Sequence, residues 1–150
     1  MGRYSQIDKS AGDLYSDRER YDYSILSLDK YQIGFIYDVA KYLETLEHVK
    51  AMSARKFVPA HAPATDNIVP LAEYNIAKVH EIAEQILTLC AQPLCFEQIL
   101  QQLFTAYDLT MTYEQYVLVG STVRSYLSWL KDSNRIESYI DRNFLLWERK

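Results

Sequence analysis

From Ile68 to Cys90 the sequence places Ile68, Leu71, Ala72, Asn75, Ile76, Val79, Ile82, Ala83, Ile86 and Leu89 at steps that keep them on one side of a 3.6-residue period. A stripe this long predicts one extended helix whose apolar face must be covered by other elements. Thr65, Asp66 and Asn67 precede it as capping candidates. Pro70 falls in the first turn, where a missing N–H costs nothing because that donor has no intrahelical partner.

The flanking segments supply partner layers. Upstream, Val39, Leu43, Leu46 and Val49 predict a shorter helix that starts at Asp38 and fades over Met52–Ala54. The Asp38 carboxylate can accept from first-turn N–H groups. "KFVPA" then reads as a short buried strand ended by its proline. Residues 1 to about 35 are rich in tyrosine and charge without periodicity, and residues 1–30 read as largely irregular.

Downstream, Pro93 breaks the chain before a short helix that carries Ile99, Leu100, Leu103 and Phe104 inward. A further helix from Thr112 to Lys131 has Tyr116, Val119, Val123, Tyr126, Leu127 and Leu130 as its inward set. Gly120 lowers helix propensity by about 1 kcal/mol relative to alanine, which points to a close helix crossing. "RIESYI" and "FLLWER" flank the turn former "DRN" and predict a terminal hairpin. The fold class is mainly α with minor β (α+β), and the order helix, helix, longer helix, hairpin is that of a winged helix.

At 150 residues with 49% hydrophobic content, the chain can bury a core. Its apolar runs are too short to span a bilayer, and its first residues form no apolar leader, so the expectation is a cytoplasmic protein without a membrane partner. Cys90 and Cys95 match no zinc spacing; a local disulfide between them would close a very small loop, and two reduced, packed thiols are the favoured reading. The net charge of −4 is spread along the chain and selects no partner.

The ordered series "YDVAKYLETL", "FVPAHA" and the long helix after it resembles the C-terminal third of a metallo-β-lactamase-fold hydrolase of the glyoxalase-like, zinc-dependent group. The likeness runs over about residues 30 to 150, and "TVRSYLSWLKDSNRIESYIDRNFLLW" resembles the winged-helix-like domain appended in many members. It implies residues 1–66 as a remnant strand–helix piece of an αββα sandwich. Residues 67–150 would be the helical winged-helix-like domain that ends in a β-hairpin. By the same likeness His61 matches the histidine that closes the second metal site. The bridging aspartate is Asp13 by its "GD" context or Asp22 by its spacing.

The resemblance implies zinc, or another divalent metal pair, that generates a hydroxide acting on an ester-like, thioester-like or RNA substrate in an intact parent. This sequence holds no H-x-H-x-D-H; its histidines are His48, His61 and His80 only. One histidine and one aspartate fall short of the three protein ligands a catalytic zinc needs. The expectation is therefore a fragment, inactive and without a cofactor by itself, whose partner is a second copy or a separate N-terminal half-domain.

Plainer readings compete. Without the resemblance His61 would be a strand-end histidine bonded to backbone, while His48 and His80 read as ordinary surface histidines. Asp13, Asp17, Asp22 and Asp29 alternate with Arg18, Arg20 and Lys30, as in a solvated, salt-bridged segment. Tyr42, Tyr116 and Tyr126 have the spacing of packing residues rather than of a stacking platform. A free-standing winged-helix module binding protein or nucleic acid is the alternative function. Charge argues against nucleic acid. From Phe96 to Lys150, Arg124, Lys131, Arg135, Arg142, Arg149 and Lys150 face Glu97, Asp108, Glu114, Asp132, Glu137, Asp141 and Glu148.

Overall fold

The computed structural model describes residues 32–59 and 62–150. Helix α1 spans Val39–Ala51, and the Asp38 carboxylate accepts from the Lys41 N–H at 2.9 Å. Its buried stripe is Val39, Tyr42, Leu46 and Val49, with Leu43 partly covered. Helix α2 spans Val69–Leu89 with Pro70 in its first turn. Of the three capping candidates, Asn67 supplies the bond: its Oδ1 accepts from the Val69 N–H at 3.1 Å.

Strand β1 is only Leu94–Cys95, followed directly by α3 over Phe96–Ala106. Helix α4 covers Tyr113–Asp132, and the Thr112 hydroxyl accepts from the Gln115 N–H. The hairpin strands are β2, Ile136–Asp141, and β3, Phe144–Arg149. Arg142 and Asn143 between them have φ of 45° and 67°, the left-handed pair that a two-residue turn of type I′ requires. Helices α3 and α4 both stop on a left-handed residue, Asp108 and Asn134. The next N–H then bonds back, Leu109 to the Phe104 carbonyl and Arg135 to the Leu130 carbonyl.

The three strands form one antiparallel sheet in the order β1-β3-β2. Leu94 pairs with Trp147 and Cys95 with Leu146, so β1 closes the outer edge of β3. The Arg149 N–H donates to the Cys90 carbonyl at 2.7 Å, tying the hairpin's end to the end of α2. Inside, Val79, Ile82, Ala83 and Ile86 of α2 meet Ile99, Leu100 and Leu103 of α3 and Val123, Leu127 and Leu130 of α4. Helix α1 joins the same core through Val39, Tyr42 and Leu46. Full burial of each such aliphatic side chain contributes about 1.5–3 kcal/mol, so these stripes dominate the fold's stability.

Two expectations are corrected. "KFVPA" is not a strand: Phe57 and Thr65 make a single antiparallel bridge, and Val58 is 61% exposed. Among the described residues Phe57–Thr65 is the one ladder pair of this run, which buries Phe57, over Val49 and Ile68, and Pro59. Tyr116, expected inward, is exposed near the start of α4, at the rim of a concavity it shares with Leu100 and Phe104 of α3. The irregular reading of residues 1–30 lies outside the described residues.

Candidate functional site

The three positions singled out for metal binding, His61, Asp13 and Asp22, lie outside the described residues. What the structure gives is the frame around position 61. The Phe57 N–H donates to the Thr65 carbonyl at 2.7 Å, and the Thr65 N–H returns to Phe57 at 3.0 Å. These bonds close the base of the stretch that carries the histidine. Thr65 is braced in turn, its hydroxyl donating to the Asn67 carbonyl and accepting from the Asn67 N–H.

The other two histidines lie on helices. His48 is exposed on α1, and His80 on α2 lies 6.2 Å, centroid to centroid, from the Trp129 ring. Among the described residues no group of three or more His, Cys, Asp or Glu side chains converges to hold a metal ion. The donors named from the sequence, one histidine and one aspartate, do not make up a catalytic zinc shell. No reaction step is derived through a metal.

The cysteines are both free thiols. Cys90 is fully buried and its thiol is pushed up to about 11 by desolvation, which keeps it protonated and unreactive near neutrality. Cys95 is half-buried at the start of α3, where its backbone N–H donates to the Gln98 side-chain carbonyl at 3.0 Å.

A groove of about 790 Å³ lies between α4 and the hairpin, with the start of α3 at one side. Arg124 and Lys131 reach it from α4, Phe96 from α3, and Phe144, Leu145 and Trp147 from β3. The guanidinium carbon of Arg124 sits 3.6 Å from the Phe96 ring centroid. The Lys131 ammonium is 5.9 Å from the Trp147 centroid and donates to the Ser138 hydroxyl at 2.7 Å. Among the described residues neither cation has a carboxylate at ion-pair distance; the ion pairs belong to Lys41, Lys50, Lys78 and Arg135. Arg124 and Lys131 are the two basic residues of this helix and are named as such by the sequence. Their aromatic partners are not, because each ring comes from a distant element.

The fold has solved relatives. A beta-lactamase domain protein from Burkholderia ambifaria superposes with a TM-score of 0.66 at 17% identity over 75% of this chain. A metallo-beta-lactamase family protein from Thermus thermophilus superposes with a TM-score of 0.56 at 14% identity over 74%. The matched region is 33% of each of those chains, so this protein spans about a third of their length. No family model matches the sequence, and no curated protein matches it either. The described residues thus have an α+β fold that also occurs as part of metallo-beta-lactamase family structures. Among them no helix is long and apolar enough to cross a membrane.

Proposed function

We propose that this chain is the C-terminal portion of a metal-dependent hydrolase of the metallo-β-lactamase superfamily. The carrying observation is the likeness to one third of two proteins of that type. In this reading residues 1–66 are the remnant of the catalytic domain and residues 67–150 a winged-helix-like domain. The order α2, β1, α3, α4, β2, β3, with β1 paired to β3, supports the second part. His61, with Asp13 or Asp22, is a partial ligand set, and the remaining ligands of a zinc or other divalent metal pair come from a complementary N-terminal part. The chain alone does not hydrolyse esters, thioesters or RNA.

The test is elemental analysis of the purified chain, together with ester and thioester hydrolysis assays, alone and mixed with an N-terminal part that carries H-x-H-x-D-H. The reading expects substoichiometric zinc, no turnover alone and turnover on mixing. Tight stoichiometric zinc or hydrolysis by the chain alone overturns it.

A second reading, a free-standing winged-helix interaction module, is favoured by the groove, whose cations lack intramolecular carboxylates among the described residues. A duplex mobility shift that weakens steeply with salt would support the nucleic-acid form of it.

A further inference from the structure

Arg124, Leu127, Ser128 and Lys131 line the groove from α4 at i, i+3, i+4 and i+7, a single stripe of the helix. Its two cations are therefore two turns, about 10 Å, apart along the axis. Both are held in place by contacts that leave donors free. Stacking on Phe96 uses the face of the Arg124 guanidinium and leaves its edge N–H groups available. The Ser138 hydroxyl takes one of the three donors of Lys131. Across the groove Phe144 is 62% and Leu145 46% exposed, beside the indole of Trp147.

We propose that this groove binds a nucleoside phosphate, with Arg124 and Lys131 on the phosphates and the base against Phe144 and Leu145. Oriented cations beside exposed apolar side chains match a ligand that is anionic at one end and planar at the other. Charge sets its size. Glu97 and Asp132 also line the groove, and Glu137, Asp141 and Glu148 follow on β2 and β3. One or two phosphates meet the cation pair, whereas a polyanion running past it meets carboxylates. A volume of about 790 Å³ lies within the roughly 300–1,000 Å³ usual for small-ligand sites. The proposal goes beyond the hydrolase reading and stands without it. The same chemistry is offered by a free nucleotide and by the nucleotide handle of coenzyme A.

The full chain is titrated at near-physiological salt with ADP, coenzyme A, adenosine and inorganic phosphate, followed by calorimetry and by tryptophan emission. ADP or coenzyme A should saturate below the millimolar range, with adenosine and phosphate each at least about tenfold weaker. Tighter binding of coenzyme A assigns the handle, and equal or tighter binding of ADP assigns the free nucleotide. Arg124→Ala and Lys131→Ala should each weaken binding about tenfold with unchanged far-UV circular dichroism, and Lys131→Arg should restore most of it. Trp147→Phe should abolish the emission change but keep the calorimetric signal. Failure of both ligands to saturate at several millimolar overturns the proposal. So does undiminished affinity in the double alanine variant, or a single-stranded oligonucleotide that binds tighter than either ligand.

Discussion

The Thr122 hydroxyl, inside α4, accepts a hydrogen bond from the Ile36 N–H at 3.0 Å, joining residues 86 positions apart. The same oxygen donates to the Gly34 carbonyl at 3.2 Å. One buried side chain thus satisfies a donor and an acceptor of the irregular segment that leads into α1. Thr122→Val keeps the shape but leaves both backbone groups unpaired, and should lower unfolding free energy by about 1–3 kcal/mol. Thr122→Ser should recover most of that in urea denaturation. Equal stability of the valine variant and the parent would show that the Thr122 bonds add nothing to what packing and the Ser125 bond to the Tyr37 carbonyl supply.

The sequence exposed the parts of this fold that are local and hid those that are not. Val39, Leu46 and Val49, or Ile99, Leu100 and Leu103, bury as their spacing predicts because a helix is decided within its own segment. The turn at Arg142 and Asn143 was legible for the same reason. Strand β1 was not, since Leu94 and Cys95 become a strand only by pairing with Trp147 and Leu146. "KFVPA" failed in the opposite sense, apolar enough for a strand but forming, among the described residues, a single bridge from Phe57 to Thr65. The metal positions came from resemblance, which locates a ligand in a series without supplying its partners. The groove was invisible because Arg124 on Phe96 and Lys131 on Trp147 are tertiary contacts.

Tyr126 is the largest side chain in the fully buried core, and among the described residues its hydroxyl has no hydrogen-bond partner. Burial drives its pKa far upward, with Tyr42 and Tyr107 adding to the effect, so the phenol stays protonated. Removing the hydroxyl ends its desolvation cost while the ring keeps its edge contact with Trp129. Tyr126→Phe should leave stability unchanged or raise it by up to about 1 kcal/mol. A loss of that size by calorimetry would reveal a bound water as the hydroxyl's partner.

Gly120 was expected to mark a tight helix crossing, and the packing around it is looser than that. A Cβ placed there would lie 3.4 Å from Arg124 Nη1, 3.5 Å from Phe96 Cζ and 3.6 Å from Leu100 Cδ2. These are ordinary contacts, and the nearest atom ends a flexible side chain. Gly120→Ala should therefore gain the helix-propensity difference, about 1 kcal/mol, seen as a raised urea midpoint at constant slope. A bulkier Gly120→Leu should reverse the sign by forcing Phe96 and Leu100 aside.

Cys90 links burial to pH. Its thiol, at about 11 in the fold against an ordinary value near 9.0, is held protonated by its apolar surroundings. Between those two values the unfolded chain releases the proton and the folded chain keeps it. The unfolded state then binds fewer protons, so stability must fall as pH rises through that window and be unaffected by this group below it. Thermal midpoints measured from pH 8 to above pH 11 should decline more steeply for the parent than for Cys90→Ala. That variant loses the titration along with some packing. Thiol counting at pH 8 should find Cys95 modified first and Cys90 only after denaturant is added. Rapid modification of both thiols in the folded chain would mean that the end of α2 opens, freeing the Cys90 carbonyl from its bond to the Arg149 N–H.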